Sequence, residues 1–131
     1  GPYKTDVLGS SPSAPTSPNQ EQMHMAWFIL IIAGLFEVFW ALMLKQSEGF
    51  TRPVPTIAFL IGLALSMILL SIALRSLPVG TAYAVWTGIG AAGTAIFGMI
   101  WLGETRDLLK MVSLVLLLAG IVGLRLSSSS A

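Results

Sequence analysis

Four long apolar runs, residues 26–44, 56–74, 82–102 and 108–126, divide the chain, and the stretches between them are short and polar. Each run is close to the ~20 residues that an α-helix needs to cross about 30 Å of hydrocarbon. A buried helix of a soluble domain would keep a polar stripe at helical spacing, and these segments have almost none. The pattern predicts an all-α integral membrane protein with four transmembrane helices. "KQSEGFTRPVP" (45–55) ends the first helix at Gly49 and restarts the chain at Pro53 and Pro55. "RSLPVGT" (75–81) and "GETRD" (103–107) make the other two connections, leaving no room for an extramembrane domain.

Composition agrees, with 55% hydrophobic and 10% charged residues in a chain of 131. The net charge of +1 leaves no nucleic-acid footprint, and the absence of cysteine removes thiolate chemistry. His24, the single histidine, lies outside the runs and makes no metal site by itself. Residues 1–24 are rich in Pro, Ser and polar groups and predict a disordered tail. Its leading Gly-Pro and the His24 before Met25 look like remnants of protease and cloning sites, so the natural chain is expected to start at Met25. The four-helix region is then 25–131.

Four spans place both ends on one side of the membrane. The opposite side holds Lys45, Arg52, Arg106 and Lys110, and the side of the ends holds Arg75 and Arg125, with Lys4 in the tail. So small a bias orients the chain weakly and is compatible with insertion both ways.

One ionisable residue interrupts the oil: Glu37, the thirteenth residue from Met25, inside "IIAGLFEVFWALML". A charge at a helix centre costs about 2.5–3.5 kcal/mol on insertion scales, so such groups face a bundle interior or a wet cavity and mark function by default. The plainer reading is a neutral acid acting as interhelical glue. Steps of three and four from Glu37 reach Ala33, Gly34, Trp40 and Ala41, a face of small residues beside one indole that offers a donor and a cation-attracting ring. Phe36, Phe39 and Met43 are apolar neighbours that could part to admit a hydrophobic substituent.

The third span carries a second stripe, Tyr83, Trp86, Thr87 and Gly90, in "TAYAVWTGIGAAG". Ser66 lies midway along the second span, where a hydroxyl ordinarily bonds the carbonyl one turn back. "GIGAAG" (88–93) has the spacing of a dinucleotide fingerprint but lacks the strand and the following acid that the motif needs. Gly88, Gly90 and Gly93 are read instead as a close-packing surface and a bend. In the fourth span Ala119, Gly120 and Gly123 suit tight helix contact, either as a dimer seam or as plain packing. No metal-ligand cluster or nucleophile–base pair suggests an enzyme, and no cofactor is expected.

Together, the four spans, "AGLFEVFWALMLKQSEGFTR" and "PVGTAYAVWTGIGA" resemble the small multidrug resistance family of proton-coupled exporters, from Met25 to about Leu126. Trp40 one turn after the acid resembles the guanidinium-exporting subtype; the promiscuous quaternary-ammonium subtype usually lacks that tryptophan. The resemblance implies an antiparallel, dual-topology homodimer in the bacterial inner membrane, with Glu37 of both subunits binding substrate and protons. It implies also that Ser66, Tyr83 and Trp86 line the site, that Ser66 and Trp40 hydrogen-bond the glutamates, and that Tyr83 shifts between subunits as the site changes sides. The alternatives are a quaternary-ammonium exporter of the same family and a non-transporting structural membrane subunit.

Overall fold

A computed structural model describes residues 20–130, with side chains described to Ser127; the tail read in residues 1–19 lies outside the described residues. Four helices follow one another: α1 (Gln20–Gln46), α2 (Pro53–Ala73), α3 (Val79–Trp101) and α4 (Leu108–Ser130). All four are long and apolar enough to span a membrane. The first departs from expectation, because Gln20 to His24, read as tail, continue α1 as helix. Glutamine, glutamate and methionine are good helix formers, so the helix outlasts the apolar run that crosses the hydrocarbon.

The α1–α2 connection is built from strained backbone. Glu48, Gly49 and Phe50 all have positive φ, at 49°, 72° and 70°, a conformation that only glycine adopts freely. Ser47, wholly buried, holds the turn: its hydroxyl donates to the Leu44 carbonyl at 2.6 Å and accepts from the Phe50 N–H at 3.2 Å. Arg52 is extended, as a residue before proline must be, and Pro53 opens α2 where its missing N–H costs nothing. At the other end of the fold Gly103, with φ of 72°, ends α3. Arg106 Nη2 donates to the Met99 carbonyl at 2.9 Å, and the Asp107 carboxylate caps α4 through the Lys110 N–H at 2.8 Å.

Helix α1 is the axis of the bundle, packed along α2 on one side and α3 on another, while α4 lies against α3. The buried cluster joins Trp27, Leu30 and Ala33 of α1 to Leu70 and Ala73 of α2 and to Val85 and Trp86 of α3. It occupies the half of the bundle where α1 and α3 begin and α2 ends. Ser66 lies at the inner limit of that cluster, and Glu37 is one turn further along α1. Outside, Phe28, Leu35, Leu60, Ile61, Ile68 and Ile100 are exposed, as residues facing acyl chains must be.

Candidate functional site

Glu37 projects from the middle of α1, half-buried, toward α3. Its approach is so close that a Cβ built on Gly90 would fall onto the carboxyl group. A side chain at position 90 would have to displace the end of the acid or part the helices. Three residues on, Gly93 receives Val38 of α1, with a built Cβ 2.5 Å from Cγ2. Gly88 faces away from them toward α4, where Ile121 Cδ1 would lie 2.9 Å from such a Cβ. The three glycines thus make two surfaces, one for α1 and one for α4, where one surface was expected. Helix α3 runs through all three as a single α-helix, which is no place for a nucleotide phosphate.

Ser66 corrects another expectation. Its hydroxyl, fully buried, donates to the Ala33 carbonyl of α1 at 2.7 Å and not to its own helix. It accepts in turn from the Trp86 indole N–H of α3 at 3.0 Å. One hydroxyl therefore ties three helices. Helical geometry gives the Ala33 carbonyl to the N–H of Glu37, so the tie ends on the turn that carries the acid. No hydrogen bond joins Ser66 or Trp40 to Glu37 among the described residues.

Two polar atoms on the site face of α1 are buried without partners: Glu37 Oε1 and, one turn on, Trp40 Nε1. Buried polar groups are nearly always satisfied, so an orphan acid oxygen and an orphan donor on one face call for a missing partner. The ion pair among the described residues, Lys110 with Glu104 at 3.5 Å, is in the α3–α4 connection and does not reach Glu37. Such a carboxyl can hold a proton, a cation or a donor from another chain. Trp40 is held edge-on by Phe59 of α2, with ring centroids 5.8 Å apart at 70°. The Gly62 backbone of α2 meets Phe39, 2.7 Å from a built Cβ, and the Cβ of Trp40 at 3.1 Å.

The expected stripe on α3 divides. Trp86 and Gly90 are buried, whereas Tyr83 is 55% exposed and Thr87 faces outward. The Tyr83 ring still touches Trp86, at 5.4 Å between centroids and 51° tilt. Gly34 packs its backbone on Ile89 of α3, with a built Cβ 2.7 Å from Cγ2. Phe36 and Met43 are half-buried on α1, and Phe39 leans on α2. Ala119, Gly120 and Gly123 are exposed on α4, and a Cβ at either glycine would meet nothing within 4 Å. Sequence reasoning missed Gly62 and Phe59, which set the position of Trp40. The lone glycine inside an apolar helix was the available signal for the first.

A family model described as Small Multidrug Resistance protein matches residues 25–117. A guanidinium exporter of Yersinia pseudotuberculosis serotype I (strain IP32953) is 60% identical over 104 residues, 79% of this chain and 100% of its own length. The guanidinium exporter of Escherichia coli (strain K12) is 53% identical and that of Proteus vulgaris 51%, each over 104 residues and 79% of this chain, covering 99% and 100% of their own lengths. With a multi-pass helical fold, a lone intramembrane acid seated on a glycine, and this extent of similarity, the chain belongs to the small multidrug resistance protein family.

Proposed function

We propose that this protein exports guanidinium and small guanidinyl cations across the bacterial inner membrane in exchange for protons, with Glu37 as the exchanging group. The observation that carries the reading is the buried, unpartnered Glu37 oxygen in the middle of a membrane-spanning helix. The similarity to guanidinium exporters supports the choice of cation. A guanidinium ion is planar and permanently charged, and its N–H groups match a carboxylate in a fork. It binds the deprotonated acid, so proton and substrate compete for one site. If the protein changes its open side only when loaded with either, inward proton flow drives outward cation flow.

The working unit is an antiparallel homodimer. Four helices, the last of them at the edge of the bundle, are too few to enclose a path and alternate it. Two inverted copies make the inward-open and outward-open states structurally equivalent, as inverted repeats do in larger transporters. Two facing Glu37 carboxyls then titrate as a pair and not as independent sites. Trp40 and Trp86 supply aromatic walls near the cation, the free Trp40 N–H is a donor for the carboxyl, Ser66 fixes the turn before Glu37, and Tyr83 reaches the site from its exposed position. The test is transport in proteoliposomes. Glu37→Gln removes both guanidinium movement and guanidinium-evoked proton release; coupled transport persisting in that variant refutes the mechanism. A Glu37 that is only interhelical glue predicts no cation binding at any pH.

A further inference from the structure

At the end of the bundle where α1 begins and α4 ends, α1, α3 and α4 border a groove of about 250 Å3 whose lining does not include Glu37. Trp27 and Ile31 line it from α1, Val85 and Ile89 from α3, and Ile121 and Arg125 from α4. Arg125 stands at the mouth with its guanidinium 5.0 Å above the Trp27 ring. No carboxylate pairs with it among the described residues, where the ion pair is Lys110 with Glu104. Trp27 is 4% exposed, and its indole N–H has no acceptor among the described residues. The mouth thus gathers one cation and one buried donor, neither with an anionic or acceptor partner.

Depth identifies the occupant. Trp27 is the second residue of the first apolar run and Arg125 stands one short of the end of the last, which places both near the headgroups. Ile31 and Ile121 lie about a turn deeper, and Ile89 is set well inside α3. We infer that the groove binds one anionic phospholipid, its phosphate on Arg125 and an acyl chain laid between α1, α3 and α4. The guanidinium fork matches phosphate oxygens, and the aliphatic walls match the chain below them. A protein side chain bearing an acid would satisfy the mouth and leave the apolar depth unfilled. The inference needs only that the chain spans a membrane, so it stands or falls apart from substrate and proton coupling.

The test reads Trp27 fluorescence in phosphatidylcholine vesicles that hold a fixed minor fraction of brominated phosphatidylglycerol or brominated phosphatidylcholine. A Trp27→Phe protein, measured in parallel, isolates the Trp27 signal from the other three tryptophans. Brominated phosphatidylglycerol should quench Trp27 with about five-fold higher relative affinity, in line with one basic residue near an anionic headgroup. Arg125→Gln should bring the ratio to about one, and Arg125→Lys should keep most of it. On the unsubstituted protein, rising salt should narrow the ratio as well, so the charge is tested even if Arg125→Gln fails to insert. Equal quenching by the two lipids, or a preference untouched by Arg125→Gln or by salt, overturns the proposal. So does a Trp27 that neither lipid quenches, which would place protein in the groove, a second copy of the chain being the first candidate.

Discussion

Helices α3 and α4 both carry glycines in apolar sequence, and the two sets behave in opposite ways. On α3 every glycine of the site region is met by a side chain: Gly90 by the Glu37 carboxyl, Gly93 by Val38, Gly88 by Ile121. On α4 Gly120 and Gly123 face open space, and no residue of its membrane window is buried. A glycine in a transmembrane helix is therefore no signal by itself. What distinguishes the two is whether a neighbour within the same chain occupies the missing side-chain volume. The first three helices pack around α1, which carries the half-buried acid, and the fourth presents small residues outward, as a surface for another helix would.

Four substitutions bear on that contrast, taken from the largest expected effect to the smallest. Gly90→Ala places a methyl where the carboxyl sits and should reduce guanidinium transport more than ten-fold by displacing the acid. Ordinary transport in proteoliposomes by that variant would mean that α3 does not hold Glu37 as described. Ser66→Ala deletes the tie between three helices and leaves the buried Trp86 N–H without its acceptor, a loss of about 1–2 kcal/mol. Steric-trap or denaturant unfolding in bicelles reads it, and a change below about 0.3 kcal/mol would remove the relay from the stability of the fold. Gly123→Leu should leave the monomer fold intact and weaken self-association several-fold in detergent and bilayer; an unchanged oligomer would assign α4 to lipid. Gly120→Ala should change unfolding of the single chain little, within about 1 kcal/mol and in the stabilising direction, because alanine is the better helix former and nothing in the same chain lies against it.

The spans were legible because hydrocarbon thickness imposes one length and one composition on every crossing. Glu37 was legible for the same reason: a carboxyl in that setting stands out without any knowledge of its neighbours. The ends of α1 were not, since residues 20–24 carry helix propensity without hydropathy, and only the second quality marks a span. Ser66 was visible as a hydroxyl but its partner was not. Its own helix offered a carbonyl, and which of two carbonyls wins depends on how closely α1 and α2 approach. The division of the Tyr83, Trp86, Thr87 and Gly90 stripe has the same origin. Helical spacing groups residues within a sector, while burial follows the neighbour's edge, which passes between Trp86 and Thr87.

The Ser66 bond ends on the oxygen of a peptide unit, and every amino acid possesses one. Mutational scanning should accordingly find position 33 open to small uncharged helix formers, since none of them erases the acceptor, while position 66 favours small residues that both donate and accept. Drift among descendants of this sequence can alter the decoration of the seam between the first two helices, but not the anchor beneath it.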